Sequence, residues 1–237
     1  MNYGTGSVPD WPGYMAQQAA RVKHPALSAF YGVVWPTADT PLEDVHFVAL
    51  DVETTGLNAR THSIVSIGIV PLTLDRIHAN ECWHTLVRPR GGLVEESVTF
   101  HQITHSDVRR APPFEAILEP LLHRLAGKVV VAHYHPVERQ FLDAAVRRCC
   151  GETLLFPMVD TMQIEANLHP KRKPGWVMRL LGRTPVSIRL AESRRRYGLP
   201  AYRAHHALTD ALATAELLQA QVATHFSARQ AIASLWI

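Results

Sequence analysis

The spacing of hydrophobic positions changes along the chain, and the changes predict its elements. Phe47-Val48-Ala49-Leu50-Asp51-Val52 is a short apolar run, the pattern of a buried strand. Thr54-Thr55-Gly56 breaks it. Residues 63–74 are rich in Ile and Val and predict a second strand. Asp75-Arg76 fits a tight turn and 77–87 predicts a third strand, so this pair reads as a hairpin. Helical spacing follows over 112–125, where Phe114, Ile117, Leu118, Leu121, Leu122 and Leu125 share a face behind early prolines. Residues 128–132 form a fully apolar fourth strand. Pro136 opens a helix with Val137, Phe141, Leu142, Ala145 and Val146 on one side. Residues 156–159 predict a short fifth strand, 187–197 a basic helix, and 208–222 a long amphipathic helix. Early strands followed by alternating helix and strand predict an α/β domain with a mixed sheet flanked by helices.

The periodic signal begins at His46. Before it, Trp11, Pro12, Gly13, Pro25, Pro36 and Pro41 punctuate the chain, and only 15–22 reads as a helix. Residues 1–45 are therefore expected to be an extension, 46–224 the main domain and 225–237 a tail. With 237 residues, 47% of them hydrophobic, the chain can bury a substantial core. No apolar stretch approaches the ~20 residues that cross a bilayer, and no basic segment precedes an apolar run at the N-terminus. Cys82, Cys149 and Cys150 have neither a disulfide framework nor metal-ligand spacing. The expected location is the cytoplasm, without membrane contact.

Net charge is only +3, but it is uneven. Nine basic residues between Lys171 and Arg196 face one acid, Glu192, a net +8 that leaves −5 on the rest of the chain. Such a segment suits a polyanion-binding face; a solvated arginine-rich helix is the plainer alternative. Trp176 lies inside it, either stacking on a base or partly buried.

Three short patterns carry candidate chemistry. In Asp51-Val52-Glu53 the two carboxylates point the same way from a strand, where they repel and cost desolvation energy. A divalent cation offsets both penalties, and an all-oxygen donor set suits Mg²⁺ or Mn²⁺. Glu138 falls in the first turn of the helix opened by Pro136, where the dipole favours a carboxylate. Asp210 falls in the first turn of the long helix, and His205 just precedes it: a metal ligand beside a general base. Each has an ordinary alternative alone: a chance D-x-E, a solvated glutamate, one surface histidine among 14. Asp160 reads as the cap of a following helix. Asp143 is a poorer ligand candidate than Glu138, because five residues rotate it to another face.

Taken in order, Asp51-x-Glu53 with Thr-Thr-Gly-Leu, Ala132-His133 with Phe141-Leu142 downstream, and His205-x-Ala-Leu-x-Asp210-Ala resemble the three motifs of DEDD-type 3′–5′ exonucleases. The histidine places the resemblance in the branch that includes the proofreading subunit of bacterial DNA polymerase III. Phe100-His101-Gln102-Ile103-Thr104, Ala111-Pro112-Pro113-Phe114 and Val159-Asp160-Thr161 resemble that family's intervening segments. The resemblance covers roughly residues 46–224 and implies a ribonuclease-H-like mixed sheet. It further implies that Asp51, Glu53, Glu138 and Asp210 hold two divalent metals and that His205 deprotonates the attacking water. Leu57 would wedge against the terminal base, and the backbone near Thr54 would contact the terminal nucleotide. Tyr134 and His135 are candidates to line the cleft. One departure stands out: Val137-Glu138 replaces the family's usual Phe-Asp, adding one methylene to the ligand arm. The implied activity is hydrolysis at 3′ ends of single-stranded nucleic acid, DNA or RNA. The alternative is a nucleic-acid-binding module on a weakened scaffold, with residues 1–45 available to a protein partner.

Overall fold

The computed structural model describes residues 10–91, 103–170 and 186–237. Phe100, His101, Gln102, Trp176 and the basic residues from Lys171 to Arg183 lie outside the described residues. β1 (Phe47–Thr54) is the axis of the fold. Its first four residues are all buried, as expected of a strand covered on both faces. β2 (Ile64–Leu72) pairs with it antiparallel, and β3 (Trp83–Leu86) pairs antiparallel with β2. On the other side β4 (Val129–Ala132) and β5 (Met158–Asp160) run parallel, giving the order β3-β2-β1-β4-β5. The sheet is the mixed one that the motif resemblance implies, with the five strands that the hydrophobic pattern predicts.

The third strand is shorter than its hydrophobic pattern predicts. Ile77 makes only an isolated bridge to Leu72, and Ala79–Glu81 turns as a 3₁₀ segment. The polar His-Ala-Asn-Glu stretch has little strand propensity, so pairing resumes only at Trp83.

Helices α1 (Trp11–Arg21) and α2 (Pro25–Tyr31) precede the sheet, and α3 (His105–Arg109) and α4 (Phe114–Leu125) follow β3. α5 (Pro136–Cys150) packs with α4 and on β1. α6 (Thr161–Leu168) and α7 (Leu190–Arg196) lie beside α8 (Ala207–His225), which crosses β1 and β2. The first helix begins four residues earlier than its hydrophobic pattern predicts, and α2 has no clear signal in that pattern. Trp11-Pro12-Gly13 reads as a breaker, yet proline suits a first turn and Asp10 accepts the Gly13 N–H at 3.0 Å. Trp11, Met15, Leu27, Phe30, Tyr31 and Trp35 are buried in the core shared with the sheet, and Phe30 meets Phe156 edge-on at 6.2 Å.

The basic helix forms, and three of its arginines have carboxylate partners. Arg194 is buried against Glu216 at 2.7 Å, Arg195 pairs with Glu192, and Arg196 pairs with Glu165. Arg194 is thereby withdrawn from solvent, whereas Arg189 and Arg195 remain exposed.

Candidate active site

Asp51 and Glu53 stand two residues apart on β1, so both project to one side. The β1–β2 register shifts just after Glu53, which ends regular pairing there. Thr54 then donates its hydroxyl to the Gly56 carbonyl at 2.8 Å, and Thr55 and Ser63 exchange hydrogen bonds across the loop. Leu57 projects from the tip of this loop and is 94% exposed.

A glycine brings the second part of the site onto the sheet. Gly68 of β2 faces Asp51 in the ladder. A Cβ at Gly68 would lie 2.2 Å from the backbone of Ala207, so only glycine lets the first turn of α8 settle there. That seat delivers Asp210. The His205 N–H donates to Asp210 Oδ2 at 2.8 Å, and His205 itself adopts φ 67°. Ligand atoms of Glu53, His205 and Asp210 all lie within 4.8 Å of one another. Next to His205, the His206 ring stacks on His84 of β3 at 4.8 Å, and His84 Nε2 lies 2.9 Å from Ser66 Oγ.

The third part comes from the β4–α5 turn. Asp160 caps α6 by accepting the Met162 and Gln163 N–H groups, as the sequence predicts. It also does something the sequence gives no sign of. Its carboxylate accepts the backbone N–H groups of Tyr134 and His135 and lies 2.8 Å from His135 Nδ1. Burial raises the Asp160 carboxyl, but these bonds outweigh it and hold it below its ordinary value. Tyr134 is half exposed with φ 84°. Among the described residues, Tyr134 and His205 are the non-glycine positions with positive φ, and they introduce the helices carrying Glu138 and Asp210. His133 is anchored between Thr161 and the Ile188 carbonyl, and burial pushes its imidazole down to about 4. Asp143 is turned away, bonded to Arg147 and to the Leu154 N–H.

Glu138 is buried, and its Oε2 has no hydrogen-bond partner. Burial first, then Asp160 and Glu53, raise its carboxyl to about 8. Burial and Asp210 raise Glu53 to about 7. Asp51 is raised by burial and by Glu138, Glu53 and Asp210, and Asp210 is raised by burial. Four carboxyl groups therefore share one partly dry site with too little positive charge among them. The unpartnered oxygen and the all-oxygen-plus-imidazole donor set fit a divalent metal ion.

This geometry has relatives. The family model RNase_T, described as "Exonuclease", matches residues 48–218. The chain belongs to this exonuclease family. The match spans all five strands and all the acids of the site. Among curated proteins, the DNA polymerase III subunit epsilon of Treponema pallidum is 31% identical over 183 residues, covering 77% of this chain and 79% of that one. The DNA polymerase III PolC-type protein of Thermotoga petrophila is 28% identical over 179 residues; this chain spans only 12% of its length. Among solved structures, the nuclease domain of 3′hExo, titled a DEDDh family member bound to rAMP, superposes with a TM-score of 0.62 at 16% identity, covering 76% of this chain and 92% of that one. Exonuclease X in complex with 5′ overhanging duplex DNA gives 0.59 at 23% identity, covering 78% and 96%. These structures share the fold of the exonuclease domain described here. Among the described residues, no helix is long and apolar enough to cross a membrane.

Proposed function

We propose that the chain is a metal-dependent 3′–5′ exonuclease that hydrolyses the terminal phosphodiester bond of single-stranded DNA and releases nucleoside 5′-monophosphates. The observation that carries this reading is the convergence of Glu53, His205 and Asp210 within 4.8 Å, beside Asp51 and the unpartnered oxygen of Glu138. Asp51, Glu53, Glu138 and Asp210 would hold two divalent ions, Mg²⁺ or Mn²⁺, which when bound supply charge neutralisation at the phosphate and a more acidic water. His205 accepts the proton of the attacking water on its imidazole, which lies beside the Glu53 and Asp210 carboxylates. Leu57, exposed at its loop tip, packs against the terminal base, and the backbone at Thr54 meets the terminal sugar. Tyr134 and His135 line the opposite wall; the bond from His135 to Asp160 fixes the ring it presents. Glu138 reaches the site through one more methylene than aspartate has, from a helix turn that the Asp160 contacts hold in place.

RNA is the second reading, because the nuclease domain of 3′hExo, a structural neighbour, is bound to rAMP. The test is a time course on 5′-labelled single-stranded DNA and RNA of matched sequence, with Mn²⁺, Mg²⁺ or EDTA. The expected result is a metal-dependent ladder shortening from the 3′ end. Asp51→Asn should lower the rate by about 10³-fold or more, and His205→Ala by about 10²-fold. Intact substrate in every lane would instead favour a binding module on this scaffold.

A further inference from the structure

The body of a bound strand must leave the acid cluster along some surface, and on α7 Arg194, Arg195 and Arg196 already have carboxylate partners. A different group of arginines lies at the same end of the sheet. β1 ends at Thr54, opposite the start of β2 at Ile64. β3 runs back to that end and finishes at Leu86, opposite Ser66, so the chain from Val87 to Arg90 continues past it. There, Arg88, Arg90 and Arg148 line a cavity of about 230 Å³ together with Ser63, Phe114 and Glu115. Three guanidinium groups against one carboxylate leave its wall at +2.

The pairing inside the cavity leaves that charge in place. Arg90 meets Glu115. Arg148 donates to the carbonyl oxygens of Ala59 and His62, which are neutral acceptors. Arg88 is exposed, and its backbone N–H is tied to the Pro112 carbonyl, which fixes the base of the side chain. Arg148 also anchors the far side of the 55–63 loop, the loop that carries Leu57, and Ser63 on the cavity wall is bonded to Thr55. A cation-lined hollow thus stands directly behind the loop assigned to the terminal nucleotide.

We propose that this hollow is a phosphate subsite, in which Arg88, Arg90 and Arg148 bind the backbone of nucleotides 5′ to the scissile bond. Guanidinium groups suit this task because they offer paired donors to phosphate oxygens. The inference rests on the reading that a 3′ end occupies the acid cluster. It adds a prediction: affinity should grow with strand length and should carry a salt dependence traceable to these arginines.

Binding can be measured without hydrolysis. The full chain, in EDTA, is titrated into a labelled oligothymidylate of about 12 nucleotides, read by fluorescence anisotropy. The doubly substituted Arg88→Gln/Arg90→Gln protein should bind about tenfold more weakly at about 0.1 M salt. The slope of log K against log salt should become shallower by roughly 1.4, at about 0.7 for each single-strand phosphate contact. Arg21→Gln, on exposed surface at the end of α1, removes one charge elsewhere and should change affinity by less than about twofold. An unchanged slope in the double variant, or an equal loss in Arg21→Gln, overturns the subsite. A 3′ ladder from the parent with no arginine effect sinks the subsite and leaves the exonuclease reading standing. Arginine-dependent binding with no hydrolysis under any metal does the reverse.

Discussion

Two glutamates of this protein are equally hidden and oppositely treated. Glu165 on α6 and Glu138 on α5 are 0% and 3% exposed. Around Glu165 the chain supplies a full complement: Arg196, the Tyr197 hydroxyl and the Gln221 amide all donate to its two oxygens. Burial raises this carboxyl, but Arg196, Gln221 and Tyr197 outweigh it and hold it below its usual range. Around Glu138 the neighbours are other acids, one oxygen has no partner, and burial drives the group to about 8. Burial alone therefore does not tell a structural carboxylate from a functional one. What tells them apart is whether the chain provides the compensating charge or leaves it to come from outside.

That contrast is broken most directly by neutralising each glutamate. Glu138→Gln keeps the shape and removes the charge, and is expected to cost about 10³-fold in nuclease rate. The metal-free protein should melt no lower than the parent near neutral pH, because the amide matches the protonated carboxyl that burial already favours there. Glu165→Gln leaves Arg196 facing a neutral amide. Breaking such a pair costs roughly 3–5 kcal/mol, or about 10 °C in Tm for a chain of this size. Its rate, measured well below that Tm, should stay within about twofold of the parent. Calorimetry and steady-state rates on the two proteins decide the matter: a Glu138→Gln protein that keeps its rate and loses its Tm would falsify the division of roles.

The two regions also differ in how the backbone reaches them, and Gly68 tests this. The Glu165 cluster is built of side chains that can adjust. The acid cluster depends on α8 touching β2 where no Cβ fits. Gly68→Ala should push the first turn of α8 outward, carrying His205 and Asp210 with it. Displacement near 1 Å at reacting groups costs about 10²-fold. The expected signature is a loss of that order in kcat with folded-state circular dichroism retained.

Much of this was legible in the sequence, for reasons that can be named. β1, β4, α5 and α8 announce themselves because each has one simple period over its whole length. Asp51, Glu53 and Asp210 were legible as acids in places where acids are costly. Gly68 was not, since a lone glycine in a strand carries no record of which backbone will approach it. Asp160 was legible as a cap, while its hold on Tyr134 and His135 joins residues 25 and 26 positions apart, which no local pattern encodes. α2 lacks a legible signal because its seven residues offer too little sequence for a period and open on a proline that reads as a break. The burial of Arg194 was not legible for a related reason: charge counted along the chain ignores Glu216, which reaches it from another helix.

The two glutamates also titrate in opposite directions, Glu138 raised and Glu165 lowered. Glu53 and Glu138 hold their protons to about 7 and about 8 in the folded protein. The unfolded chain releases them near the ordinary glutamate value of about 4.3. The folded state thus binds more protons across that window, so stability falls as pH rises through it. Between about pH 5.5 and pH 8.5 the metal-free Tm should drop by roughly 10 °C. Saturating Mn²⁺ should reverse most of that drop by mass action on the folded state. Glu165, held low, contributes stability that is present above the ordinary value and lost only on acidification, so Glu165→Gln should leave this slope alone. Glu138→Gln should flatten it. Equal slopes in the parent and Glu138→Gln would place the raised titration elsewhere.

The smallest expected effect concerns what steadies His205. Its backbone is in the left-handed region, and the Asp210 carboxylate accepts its N–H. The neighbouring His206 ring rests on His84, which Ser66 fixes from below. Because His84 stacks on His206 and is bonded to Ser66, its influence should pass through the 205–206 segment. His84→Ala is expected to lower kcat about fivefold with little change in KM. His84→Phe keeps a flat ring under His206 and should restore most of the loss. In a His205→Ala background the same His84→Ala substitution should cost nothing more, since there is no base left to position. Additive losses in that double-mutant cycle would mean that His84 acts on another part of the site, and the cavity of about 320 Å³ it lines beside Glu53 would be the place to look.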